Sequence, residues 1–127
     1  MKLHADRPDQ YSITAYGEGW IAVNGQRHSG PLLISADSGV RAWSCQGFNQ
    51  MAEEHFRELL EPGVPPPELV LFGSGPRLRF VHPSLLRPLI SQRIGVETMD
   101  TVAACRTFNI LAAEGRRVTA ALLVDDI

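Results

Sequence analysis

The spacing of apolar residues is most informative between Ile94 and Leu123, which reads IGVETMDTVAACRTFNILAAEGRRVTAALL. Val96 to Met99 is extended. From Asp100 onward, Ala104, Cys105, Phe108, Leu111 and Ala112 fall on one face of a helix, with Thr107 and Glu114 outside. Asp100 suits the N-cap, since its carboxylate can accept an amide hydrogen that the first helical turn leaves unpaired. Gly115 suits the left-handed residue that ends the helix, and Arg116 and Arg117 place positive charge at its negative end. Val118 to Val124 then reads as a central strand. Strand, capped helix, glycine stop and strand together form a crossover connection.

Upstream the pattern is shorter-ranged. Tyr11, Ile13 and Ala15 alternate with Ser12 and Thr14, the period of a half-buried strand ending near Tyr16. Trp20 to Val23 and Gln26 to Ser29 flank Asn24-Gly25, the dipeptide favoured in two-residue hairpin turns. Pro31 to Ser35 is a further apolar run, and Ala36-Asp37-Ser38-Gly39 turns it into Val40 to Ser44. The first third is therefore expected to be a block of short antiparallel strands.

Asn49 is expected to cap a helix running to about Leu60, with Ala52, Phe56, Leu59 and Leu60 on its buried stripe and a Glu53–Arg57 pair on its wet side. Pro62 and Gly63 end it, and Val64-Pro65-Pro66-Pro67 is a stiff connector within one domain. Glu68 to Phe72 reads as a strand buried on both faces, closed by the turn Gly73-Ser74-Gly75-Pro76. Leu78 to Val81 is a brief extended piece. Pro83 opens a helix to about Gln92, whose regularity Pro88 limits.

A chain of 127 residues suits one domain, 1–127, and its N-terminal residues 1–10 are polar enough to be flexible. With 44% hydrophobic and 20% charged residues, composition points to neither disorder nor a membrane protein. The formal charge of -2 supplies no overall basic field, even though Arg77, Arg79, Arg87 and Arg93 cluster in sequence, so no nucleic-acid partner is expected. No apolar run is long enough for membrane insertion, and no secretory signal is evident. Cys45 and Cys105 form neither a disulfide framework nor a zinc pattern; they read as buried thiols in a reducing, cytoplasmic setting.

Candidate chemistry gathers in two places. The turn FGSGP could offer backbone N–H groups to an anion, with Arg79 adding charge, but it lacks the glycine spacing and Lys-Ser/Thr pair of a P-loop. Nor does Ser74 have the glycine spacing of a nucleophile elbow, so a plain tight turn is the first reading. Around the helix start, Glu97, Asp100, Thr101, Cys105 and Arg106 lie close in sequence. Asp100 could act as a base, yet capping accounts for it; Cys105 sits late for thiolate stabilisation by the helix N-terminus, and Arg106 is expected to pair with Glu97 or Asp100. His4, His28, His55 and His82 are scattered and read as chance surface residues, with no metal site.

ELVLFGSGPRLRFVHP and IGVETMDTVAACRTFNILAAEGRRVTAALL closely resemble a family of uncharacterised small α/β proteins. This family includes the mitochondrial complex I assembly factor 3 and the adipogenesis-associated domain protein. The resemblance implies a single layered α/β domain with a mixed central β-sheet, a strand-rich N-terminal half and flanking helices. It also implies that Gly73, Ser74, Gly75, Arg79, Glu97, Asp100, Thr101, Cys105 and Arg106 are signature positions, with Ser74 where threonine is common.

Together these features predict a non-enzymatic interaction or assembly factor with a protein partner, serving a membrane respiratory complex as the resemblance implies, and with no cofactor. Exposed hydrophobic or aromatic residues of the strand-rich half are expected to meet the partner. The alternative is a small-molecule-binding protein or enzyme whose site lies between the Ser74 turn and the Asp100 helix start, with those nine signature residues as its ligand-binding set.

Overall fold

A computed structural model describes residues 10–125 and 127. The stretch before residue 10, which holds His4 and nearly all of the segment expected to be flexible, lies outside the described residues. The elements in order are β1 (Ile13–Gly17), β2 (Trp20–Val23), β3 (Gln26–Ser29), β4 (Leu32–Ser35), β5 (Gly39–Ala42), α1 (Glu53–Arg57), β6 (Leu69–Gly73), α2 (Arg87–Ile90), β7 (Gly95–Met99), α3 (Thr101–Ala113) and β8 (Val118–Leu122).

The first third does not stay together. β1, β2 and β3 form a three-stranded sheet of their own, whereas β4 and β5 join a five-stranded sheet in the order β5-β4-β8-β6-β7. β4 is antiparallel to β8, while β6 is parallel to both β7 and β8, so the large sheet is mixed as expected. The β7–α3–β8 crossover steps over β6, which lies between the two strands it connects.

Alternation along the central strands explains their continuous apolar runs. Leu32, Ile34, Leu71, Ala120 and Leu122 pack on one face with α3 and the small sheet; Leu33, Val70, Phe72, Ala121 and Leu123 pack on the other with Phe56, Leu59 and Leu89. Each strand serves two cores. Trp43, Phe56 and Phe72 meet edge to face in the second core, with ring centroids 5.5 to 6.1 Å apart. Full burial of one such ring contributes about 1.5–3 kcal/mol.

Asn24 and Gly25 have φ of 49° and 83°, the backbone that the β2–β3 hairpin requires. In β1, by contrast, the register shifts between Ile13 and Ala15, so Ile13 is buried and Ala15 exposed. A bulge has cancelled the expected alternation.

Two helices differ from expectation. Asn49 lies in a separate 3-10 turn, Phe48–Gln50, and α1 starts after Ala52, whose backbone N–H donates to Nδ1 of His55 at 2.9 Å. The helix ends at Arg57, yet Glu53 and Arg57 still pair at 3.4 Å. The segment from Pro83 splits into a 3-10 turn, Pro83–Leu86, and the one-turn α2, because Pro88 supplies no N–H and fits only near a helix start. Leu78 to Val81 forms no strand.

Candidate functional site

The Ser74 turn and the Asp100 helix start meet at the C-terminal ends of β6, β7 and β8. Asp100 caps α3 through Oδ1, which accepts the Ala103 N–H at 2.9 Å. That cap sets Thr101 at the first helical position, where its hydroxyl does two jobs: it accepts the Gly75 N–H at 2.8 Å and donates to the Leu123 carbonyl at 2.6 Å. The Thr101 N–H in turn donates to the Gly75 carbonyl at 2.9 Å. One residue thus ties the turn after β6 to the end of β8.

Ser74 is committed in the same way. Its N–H donates to the Met99 carbonyl at 2.9 Å; its hydroxyl accepts the Arg79 N–H at 2.9 Å and lies 2.8 Å from the Arg77 carbonyl. Arg79 folds back over the turn, donating Nε to the Ser74 carbonyl at 2.9 Å, pairing with Asp125 at 3.5 Å and lying 4.5 Å from the centre of the Phe48 ring. Gly73 admits this close approach: a Cβ there would meet the Thr101 Cα at 3.1 Å and Leu122 Cδ2 at 2.9 Å. Gly75 has φ of 103°, where an L side chain is strained.

Gly73, Ser74, Gly75, Arg79, Asp100 and Thr101 therefore converge as a hydrogen-bonded latch, with Ser74 and Thr101 fully buried. The other three signature residues lie apart from it. Cys105 faces the core, 2% exposed, and burial pushes its thiol up to about 12, outweighing the opposing Arg106 charge. It is protonated at neutral pH and a poor nucleophile. Glu97 and Arg106 are exposed, and the pairing expected for Arg106 with Glu97 or Asp100 is absent from the ion pairs among the described residues.

The two cysteines are free and buried on opposite faces of the large sheet, Cys105 with α3 and Cys45 with Trp43. Burial raises the Cys45 thiol too. Glu68 and Arg116 pair at 2.6 Å at the surface; their hydrogen bond holds the carboxyl below its usual range and the guanidinium above it. Two of the scattered histidines are not chance placements. His55 caps α1, and His82 Nδ1 accepts the Ser84 N–H at 3.1 Å at the start of the next turn. His28 lies in β3. Among the described residues no three His, Cys, Asp or Glu side chains are grouped to hold a metal ion, and no helix is long and apolar enough to cross a membrane.

Exposed apolar side chains concentrate away from the strand-rich half, where a partner surface was expected. Phe80 is 71% and Ile110 60% exposed, and Leu78 and Ile90 follow; Tyr16 is the strand-rich half's one member of this group among the described residues.

A family model described as protein of unknown function (DUF498/DUF598) matches residues 13–123. NADH dehydrogenase (ubiquinone) 1 alpha subcomplex assembly factor 3 of Bos taurus is 36% identical over 123 residues, 95% of this chain and 65% of that protein. The chain thus spans just under two thirds of that curated relative. A crystal structure of a Bordetella parapertussis protein is 39% identical with a TM-score of 0.83, covering 94% of this chain and 99% of the other. A Bordetella pertussis protein described as a Mth938-like domain is 37% identical with a TM-score of 0.78, covering 98% and 93%.

Proposed function

The chain belongs to the DUF498/DUF598 family, and on that premise we propose that it is a non-enzymatic assembly protein for a respiratory NADH dehydrogenase. The observation that carries this reading is the extent of the likeness, since a protein named as an assembly factor for such an enzyme aligns with 95% of this chain. The chemistry of the latch supports it. The hydroxyls of Ser74 and Thr101 are spent on backbone groups and the Asp100 carboxylate caps a helix, so six of the nine signature residues serve to hold strand ends together, while the Cys105 thiol is buried and protonated. The same commitments count against a small-molecule or catalytic site at that turn.

In this reading the protein acts by contact with a protein partner, reached through exposed apolar side chains such as Phe80, and works in the cytoplasm, where two unpaired cysteines stay reduced. Deleting the gene in its native host is expected to lower the amount of fully assembled NADH dehydrogenase on native gels, together with the NADH:quinone activity of isolated membranes. Re-expression should restore both. Normal assembly and activity in the deletion strain would overturn the reading.

A further inference from the structure

The face of the large sheet that carries Leu33 and Thr119 is covered unevenly. α1 ends at Arg57, and the chain returns to β6 through a connector containing Pro62, Pro65, Pro66 and Pro67. The connector first turns at Gly63, where the Val64 N–H donates to the Glu61 carbonyl at 3.2 Å, and Val64, Pro65 and Pro67 then wall the space over this end of the sheet without filling it. What remains is a groove of about 140 Å³ at the end of the sheet where β6 and β8 begin, opposite the Ser74 turn. Leu33 and Leu59, both almost fully buried, form its floor, and Val40 and Val64 also line it.

The polar lining of the groove is only partly self-satisfied. Arg41 pairs with Glu61 at 3.3 Å and donates to the Glu58 carbonyl at 2.7 Å. The Ser35 hydroxyl accepts the N–H groups of Asp37 and Ser38, each at 3.3 Å. Arg117 and Asp37 line the same groove, yet among the described residues neither takes part in an ion pair. Thr119, 8% exposed, adds a hydroxyl between β4 and β6. The groove therefore offers an aliphatic floor with one positive and one negative group outside the ion pairs of the described residues, Arg117 also lending charge to nearby Glu68.

A lone anion leaves Asp37 unmatched and a lone cation leaves Arg117 unmatched, whereas a molecule with both charges meets each with its opposite. At ~10–15 Å³ for each water-sized group, the volume holds on the order of ten such groups, the size of an amino acid. We propose that this groove binds a small zwitterion with an aliphatic body, the chemistry of a free apolar α-amino acid. The carboxylate faces Arg117 and Thr119, the ammonium faces Asp37, and the aliphatic chain lies on Leu33, Leu59 and Val64. The proposal stands independently of the assembly role.

The test is an amide NMR titration of the full chain with L-leucine, 4-methylpentanoate, which lacks the ammonium, and 3-methylbutylamine, which lacks the carboxylate. Leucine should give saturable shifts confined to residues 33–41, 59–67 and 117–119, and each single-charge probe should bind about tenfold more weakly or worse. Arg117→Gln should weaken leucine about tenfold and leave the amine unchanged; Asp37→Asn should weaken leucine and leave the carboxylate unchanged. Both side chains are exposed, and a native spectrum of each variant confirms its fold. The absence of saturable shifts with leucine, equal affinity for the three probes, shifts centred elsewhere, or leucine binding unaltered in both variants would each overturn the proposal.

Discussion

The side-chain amide of Asn109 makes both hydrogen bonds to Ile13 that a neighbouring strand would make. Its Oδ1 accepts the Ile13 N–H at 2.8 Å, and its Nδ2 donates to the Ile13 carbonyl at 2.8 Å. Asn109 lies in α3 and Ile13 in β1, 96 positions apart, so one side chain pins the small sheet to the helix that covers the large one. It also satisfies edge-strand groups beside the β1 bulge that would otherwise be left unpaired.

Replacing Asn109 with Leu should leave both Ile13 groups without their partner and cost about 2–4 kcal/mol of unfolding free energy, read from urea denaturation. Hydrogen exchange at Ile13 should accelerate more than exchange in β6 or β8. Equal acceleration throughout would mean that the amide does not act locally.

The Thr101 hydroxyl carries a similar load inside the latch. Thr101→Val keeps the shape but strands the Gly75 N–H and the Leu123 carbonyl, an expected loss of about 2–4 kcal/mol in chemical denaturation. Thr101→Ser retains the hydroxyl and should lose less, about 1 kcal/mol for the missing methyl. If the two variants proved equally stable, the hydroxyl would not be what holds the turn to β8.

Capping separates His55 from Asn49. His55→Ala removes the acceptor for the Ala52 N–H at the start of α1 and should cost about 1 kcal/mol, whereas Asn49→Ala should change stability by less than about 0.5 kcal/mol. Thermal melts of both variants decide the matter, and a larger loss for Asn49→Ala would reverse the assignment.

Alkaline stability should depend on Cys105. Burial raises its folded-state value from 9.0 to about 12, so the unfolded chain gives up the thiol proton first. Stability is unaffected by this group below about pH 9 and falls as pH rises from there toward about 12, with a slope of at most about 1.4 kcal/mol per pH unit. Cys105→Ala should flatten the stability profile in that window when urea midpoints are compared at pH 8 and pH 10. Cys45, shifted the same way, leaves a residual slope.

Much of the fold was legible because it is written in local periodicity and local chemistry. The NG hairpin, the continuous apolar runs of β6 and β8, the Asp100 cap and the Gly115 stop each depend on a few consecutive residues. Where two local signals competed, the reading failed. Asn49 is a good cap residue, yet a histidine three positions inside α1 served the helix start; the alternation of β1 was undone by a bulge; and Pro83 announced a helix that Pro88 would not let continue. Asn109 went unread as a contact, although a residue of low helix propensity at mid-helix was a usable signal.

By itself, the sequence determined which residues form strands and α3, that the central strands bury both faces, and to which family the chain belongs, because side-chain period and long motifs are properties of neighbours along the chain. Tertiary structure alone decided that β4 pairs with β8 and not with the small sheet, that Ser74 and Thr101 spend their hydroxyls on distant backbone groups, and that Asp37 and Arg117 share one groove. Periodicity tells a residue which way to face. It does not say which distant segment it will meet, since that is settled by the packing of whole layers and the satisfaction of buried polar groups across them.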